Sequence, residues 1–173
     1  GVKITPPYSL IKGTTDAQYA QMTTSEKYNL LEYHKWKFSG KVFTPLSADS
    51  KLVLMARAEF GYLGHYNKNV KSPFESFYMG GDGMSSYSSY STEYIAMRGY
   101  QSGSLTPYDP ATGRNMGYVY NKFTMELRYP IALEQNATIW ALAFVEAGNC
   151  FADIRDYNPF KLKRSAGVGV RLF

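Results

Sequence analysis

Long stretches of this sequence alternate strictly between apolar and polar side chains, and few folds accommodate such a pattern. Within residues 121–133, Phe123, Met125, Leu127, Tyr129 and Ile131 point one way, and the residues that point the other way include Lys122, Thr124, Glu126 and Arg128. A period of two residues is typical of a β-strand whose two faces meet different surroundings. Strands of soluble proteins usually contain about five or six residues, whereas a tilted strand needs about 9 to 11 to cross the hydrocarbon layer. The length of the alternation therefore favours membrane-spanning strands over a soluble sandwich.

The composition agrees with two-faced strands. Aromatic residues make up 16% of the chain, charged residues only 19%, and the mean hydropathy is −0.33. Many aromatic residues, few charges and no net hydrophobicity suit strands with one lipid-facing and one polar face. The sequence contains no apolar run of about 18 residues, so a helical membrane protein is excluded.

We predict six strands, separated by connections of very different lengths. Short turns are expected at 47–50 and 134–136, where residues that favour turns cluster. A medium loop is expected at 153–162 and a long loop at about 66–116. The first strand should be interrupted at Pro6–Pro7, because proline cannot donate to a ladder. The predicted strands lie at about 2–11, 30–45, 51–64, 117–133, 137–149 and 163–173.

The long loop is the most unusual connection. It contains the sequence Gly80-Gly81-Asp82-Gly83 and a run rich in Ser and Tyr at 85–91. A loop of this length is uncommon in a compact soluble domain and is usually functional, and in a barrel it has room to fold into the lumen. We interpret Gly80 and Gly81 as turn positions with positive φ rather than as a phosphate loop, because no Lys-Ser/Thr pair and no helix pattern follow.

Six strands are too few to close a barrel, since the smallest single-chain bacterial barrels have about eight. Short turns at one end and long loops at the other are nevertheless typical of outer-membrane barrels. The expected fold class is therefore all-β, with the antiparallel strands of an incomplete transmembrane outer-membrane β-barrel. We expect 1–173 to be one partial barrel domain of a longer protein. Its two open edges should readily add further strands, including those of another copy of the same chain.

No set of residues predicts catalysis, a cofactor or a metal site. Cys150 is the only cysteine, and His34 and His65 lack a matching nucleophile or third ligand. The segment 108–113 contains one carboxylate, Asp109, which is too few for a calcium site. The formal charge of +5 comes from dispersed Lys and Arg residues, so nucleic-acid binding is not expected. The sequence predicts a protein without enzymatic activity.

Four short motifs occur in order along the chain. Thr-Pro-Pro-Tyr-Ser occupies 5–9, and Phe-Tyr-Met-Gly-Gly occupies 77–81. Met-Arg-Gly-Tyr follows at 97–100 in the same long loop, and Ser-Ala-Gly-Val-Gly occupies 165–169. In this order and spacing the motifs resemble the barrel of the BamA family, outer-membrane protein assembly factors of the bacterial surface antigen superfamily. The resemblance covers nearly the whole chain.

The resemblance implies that the long loop corresponds to the family's sixth extracellular loop, which turns into the barrel lumen. It also implies that Arg98 of the Arg98-Gly99-Tyr100 motif is held against acidic side chains of the next two strands, here Glu126 and Glu146. A planar guanidinium can bind carboxylates with two donors, and leaving it unpaired in a narrow lumen is costly. The alternative is a solvated Arg98 that forms at most a surface ion pair of about 0 to 1 kcal/mol.

The resemblance further implies a function in the bacterial outer membrane. The intact protein would insert and fold other β-barrel proteins, with unfolded outer-membrane proteins as clients and outer-membrane lipids and accessory assembly lipoproteins as partners. Its periplasmic domains and final strands are expected to lie outside this sequence, which alone should not perform insertion. Two alternatives remain, a polypeptide-transporting barrel of the same superfamily and a passive porin-like or ligand-binding barrel.

Overall fold

The computed structural model describes residues 1–67, 69, 71–83, 92–110, 113–134 and 137–172. The run at 85–91 and the centre of the expected turn at 134–136 therefore lie outside the described residues. The strands in chain order are β1 (Val2–Ile4), β2 (His34–Pro45), β3 (Val53–Gly64), β4 (Phe77–Met79), β5 (Glu93–Ile95), β6 (Tyr108–Asp109), β7 (Arg114–Asn115), β8 (Val119–Glu134), β9 (Ala137–Phe151) and β10 (Lys163–Leu172).

Six of these strands form one sheet in the order β1-β2-β3-β8-β9-β10, and all neighbours are antiparallel. The predicted all-β, antiparallel fold is confirmed, and the sheet is open, with β1 and β10 at its edges. Strand β3 pairs with β8 although the long connection separates them in sequence. The β8–β9 register shifts between Pro130 and Ala132, where proline cannot donate to the ladder. The connections that follow β2 and β8 lie at one end of the sheet, and the longer ones lie at the other.

The segment between β1 and β2 is helical, which the sequence analysis did not predict. The first predicted strand, 2–11, is wrong beyond Ile4, because Tyr8–Lys12 forms a helix, α1. Two prolines end the ladder at this point, since neither has an N–H to donate. Strand β2 likewise begins at His34 rather than near residue 30.

Two further short helices, α2 (Asp16–Gln21) and α3 (Thr24–Lys27), each begin with a capping box. Glu26 Oε2 accepts a hydrogen bond from the Thr23 amide at 2.8 Å, and Thr23 Oγ1 accepts one from the Glu26 amide at 3.3 Å. Thr-x-x-Gln and Thr-x-x-Glu are recognised signals of a helix start, so the sequence does contain the pattern that identifies both helices. None of the helices in the described part of the chain is long and apolar enough to span a bilayer.

The sheet has two faces of opposite character, which we call inner and outer. The inner face carries Lys35, Glu126 and Glu146 and is covered by the connection between β3 and β8. The outer face is apolar and exposed, and an exposed apolar surface of this extent marks a contact with a membrane or a protein. Its exposed large hydrophobic side chains include Phe38, Val42, Phe123, Met125, Leu127, Tyr129, Ile131, Val145, Val168 and Val170.

The long connection packs tightly on the inner face. Its strands β4 and β5 pair in parallel, and Phe77 exchanges two backbone hydrogen bonds of 2.8 and 3.0 Å with Gly117. A hydrophobic cluster fills the space between the connection and the sheet, and Phe77, Met79 and Met97 within it are completely buried. Its other buried members are Leu63, Ile95, Met116, Tyr118, Tyr120 and Cys150.

Candidate functional site

The Arg-Gly-Tyr motif at 98–100 forms a turn that is hydrogen-bonded to the loop glycines. The Gly81 amide donates to Tyr100 O at 2.9 Å. Gly81 and Gly99 both have φ of 84°, in the left-handed region that favours glycine. Gly80 has φ of 130°, and a Cβ at this position would overlap a backbone carbonyl oxygen of the same turn. The glycines selected from the sequence therefore belong to the same local structure as Arg98.

Arg98 contacts both acidic residues that the resemblance implies. Its backbone amide donates to Glu146 Oε2 at 2.8 Å. Its Nη2 atom donates to Glu146 Oε1 at 2.8 Å and to Glu126 Oε1 at 2.7 Å. Both glutamates are only 2% exposed, so a charge-assisted contact with them is little screened by water. The guanidinium also lies over the Phe144 ring, with Cζ 3.6 Å from the ring centroid, which is a cation–π geometry.

Two further cations complete this ionic cluster. Lys122 Nζ lies 3.1 Å from Glu146 Oε1 and donates to Ala96 O at 2.6 Å. Arg128 donates to Glu126 Oε2 through Nε at 2.9 Å and Nη2 at 2.5 Å. The alternation of the sequence predicts that Lys122 and Arg128 lie on the polar face of β8, but it indicates no role for either residue. The sequence does contain a signal that places them near Glu126. Alternate residues of one strand share a face, so Lys122 and Arg128 lie on the same face of β8 as Glu126.

The site also includes β10, the strand at one edge of the sheet. The Tyr100 hydroxyl donates to Arg164 O at 2.8 Å. Phe144, beneath Arg98, lies opposite Gly167 in the β9–β10 register. A Cβ at Gly167 would lie 2.7 Å from Phe144 Cζ. The absence of a side chain at Gly167 therefore provides the space that the Phe144 ring occupies. One turn of the loop is thus held by β8, β9 and β10 together.

We expect Gly167→Ala to destabilise the protein by about 1–3 kcal/mol, because the added methyl group forces Phe144 away from Arg98. Gly169→Ala is the matched control on the same strand and face. A Cβ there would lie 3.7 Å from Leu142 Cδ1, an ordinary contact, and its effect should stay within about 0.5 kcal/mol. Urea unfolding of both variants in lipid vesicles measures the difference. Equal effects of the two substitutions would show that Phe144 does not require the space above Gly167.

The histidines and the cysteine lie apart from this cluster. His34 Nδ1 accepts a hydrogen bond from Trp36 Nε1 at 3.0 Å, and Cys150 lies within the hydrophobic cluster. Among the described residues, no group of three or more His, Cys, Asp or Glu side chains is arranged to hold a metal ion.

These features define a class of protein. A sheet with an apolar outer face, longer connections at one end and a loop held on its inner face by buried ion pairs is the wall of an outer-membrane β-barrel. The family model of the Omp85 superfamily domain matches residues 14–172, and the chain belongs to this superfamily. Its members are outer-membrane proteins that insert or transport other proteins. Comparison with curated proteins gives no match.

Proposed function

We propose that this chain is the strand-and-loop wall of an insertase of the BamA type, which assembles β-barrel proteins into the bacterial outer membrane. The observation that carries the proposal is the binding of Arg98 to Glu126 and Glu146 within an Omp85 superfamily domain. The superfamily includes transporters as well as insertases, so the family match alone does not select between them. The ordered motifs that resemble the BamA family favour the insertase.

In this proposal the protein acts through strand pairing, without bond chemistry and without a cofactor. Each unpaired backbone polar group of a client costs several kcal/mol in the hydrocarbon layer. A seam between the first and last strands of the closed barrel would open and offer its edge to client strands, which pair with it as added strands. The loop held by Arg98 would keep the rest of the wall in shape while the seam is open.

The proposed partners follow from this mechanism. Clients are unfolded outer-membrane proteins, the surroundings are outer-membrane lipids, and accessory assembly lipoproteins act with the intact protein. In isolation, the open edges β1 and β10 should pair with other copies of the chain, because unpaired strand edges template further strands.

The test is reconstitution of the intact protein in liposomes with an unrelated, urea-unfolded barrel as client. We expect the client to fold faster than in empty liposomes, as followed by its shift in mobility on a cold gel. Acceleration that depends on Arg98 supports the insertase. Ion conductance without faster folding would replace the proposal with a porin-like barrel. Translocation of one dedicated polypeptide without faster folding would replace it with a transporter of the same superfamily.

A further inference from the structure

A second group of ion pairs, centred on the buried Lys35, lies on the inner face at the opposite side of the sheet from the strands that hold Arg98. Lys35 on β2 is 1% exposed. Its Nζ atom lies 2.9 Å from Glu75 Oε2, 2.9 Å from Glu75 O and 2.9 Å from Glu93 Oε2. The ammonium group donates two hydrogen bonds to Glu75 and forms an ion pair with Glu93, so all three oxygen contacts are with the long connection. The Phe77 ring centroid lies 4.8 Å from the same Nζ atom.

The neighbouring lysines make this contact a network. Lys3 on β1 lies directly opposite Lys35 in the strand register, and its Nζ atom is 2.9 Å from Glu75 Oε1. Lys37, on the same face of β2, forms an ion pair with Glu93. Like charges directly opposite each other destabilise a strand pair. The three lysines therefore form a positive patch on β1 and β2, and the two carboxylates of the long connection offset most of its charge.

The backbone at Glu75 supports a specific contact. Glu75 has φ of 66°, a left-handed conformation that residues other than glycine adopt only at an energetic cost. Lys35 binds both the carbonyl oxygen and the carboxylate of this residue. Such strain persists where the surroundings hold the residue in place, and Lys35 supplies the contacts that do so.

The pKa values of Glu75 and Glu93 shift in the direction expected for carboxylates that are bound to lysines. Burial acts to raise the pKa of Glu75 and of Glu93. Hydrogen bonds from Lys35 and Lys3 to Glu75, and from Lys37 and Lys35 to Glu93, outweigh that effect and hold the pKa of each carboxyl below its ordinary value. Both groups are therefore ionised in the folded protein at neutral pH.

The network is connected to Arg98 through the chain itself. Glu93 begins β5, which pairs with β4 and leads directly into the turn that carries Arg98. Lys122 holds this path at the carbonyl group of Ala96. The Lys35 network thus fixes the start of a short segment whose other end is fixed by Glu126 and Glu146.

We propose that Lys35 is a positioning residue of the loop, forming a second anchor that holds β4 and β5 on β1 and β2 through contacts separate from those of Arg98. The first anchor attaches the loop to β8, β9 and β10, so the two together attach it near both edges of the sheet. The expected effect on activity rests on the proposed function, because it assumes that the loop keeps the wall in shape during insertion. The attachment itself does not depend on that function.

Hydrogen exchange of the intact protein in lipid vesicles tests the anchor locally. In Lys35→Met we expect exchange in 74–79 and 92–95 to rise by about tenfold or more, while exchange in 97–105 changes by less than about threefold. In Arg98→Ala we expect the larger rise in exchange at 97–105, and a change of less than about threefold at 74–79 and 92–95. Lys41→Met is the matched control, since Lys41 is on the same face of the same strand and lies over the Phe43 ring, 4.9 Å from its centroid. Unchanged exchange at 74–79 in Lys35→Met, or an equal rise in both regions, overturns the proposal.

A second variant covers the case in which Lys35→Met does not fold. Glu93→Gln keeps the size of the side chain and removes its charge, and it should raise exchange in the same two segments. If Glu93→Gln leaves both segments unchanged, the second anchor is rejected.

The liposome folding assay separates this inference from the proposed function. Exchange patterns as expected, in a protein that does not accelerate client folding, would retain the anchor and reject the insertase. Faster client folding with unchanged exchange in Lys35→Met and Glu93→Gln would retain the insertase and reject the second anchor.

Discussion

Replacing Arg98 with alanine is expected to lower the free energy of unfolding by about 3 kcal/mol, near the lower end of the range for breaking a buried ion pair. Glu126 and Glu146 are both 2% exposed, and the substitution removes a cation that binds the two of them. The loss stays near the lower end because Lys122 and Arg128 still neutralise these carboxylates. Urea unfolding in vesicles measures the change, and the liposome assay should show slower client folding in the same variant.

The partner of Arg98 can be identified by a double-mutant cycle with Glu146→Ala. Because both substitutions remove the same contact, their combined loss should be smaller than the sum by about 1 kcal/mol or more. The control is Arg171→Ala. Its Nη2 atom is 3.7 Å from Glu126 Oε1 and its side chain is 45% exposed, so the loss should be only about 0 to 1 kcal/mol. Strictly additive effects of Arg98→Ala and Glu146→Ala would rule out direct pairing.

Introducing a charge on the outer face should be nearly as harmful, although no contact is broken. Val145 lies in the central part of β9 and is 54% exposed. In water, a substitution at such a position usually changes stability by less than about 0.5 kcal/mol. In a bilayer, Val145→Arg should cost about 2–4 kcal/mol, because the guanidinium meets hydrocarbon near the membrane centre.

The matched control is Phe160→Arg in the connection between β9 and β10, where the side chain is 86% exposed. This residue lies outside the strands, and its replacement should be nearly neutral. Unfolding of both variants in vesicles supplies the comparison. A neutral Val145→Arg would show that the outer face of β9 is not in contact with lipid.

The alternation of apolar and polar residues made the strands of the sheet predictable, but it gave no indication of the helices between β1 and β2. On β8, the period of two separates Met125 and Leu127 from Glu126 and Arg128, as in the structure, because the outer face meets an apolar environment along its whole length. The helices between β1 and β2 have no such periodic signal. Their starts are encoded by local hydrogen bonds such as that between Thr23 and Glu26, and recognising them requires capping patterns rather than hydrophobic periodicity.

The candidate site was less accessible to sequence reasoning, because its partners are far apart in the chain. Periodicity shows that Glu126 faces inward, but it cannot indicate which residue of a long irregular loop will reach it. The resemblance supplied Arg98, and no corresponding signal supplied the partners of Lys35. Glu75 and Glu93 lie in a segment with no regular period, and their contacts follow from how the connection folds back on the sheet.

The packing beneath the long connection has a consequence for permeability. Phe77, Met79 and Met97 are completely buried between the connection and the sheet, so water and ions have no passage along this part of the described wall. A loop packed in this way occupies part of the lumen of the closed barrel, so it lowers conductance while it is in place. Leakage of small ions would then report how often the loop leaves the wall, and it should increase in variants that release it.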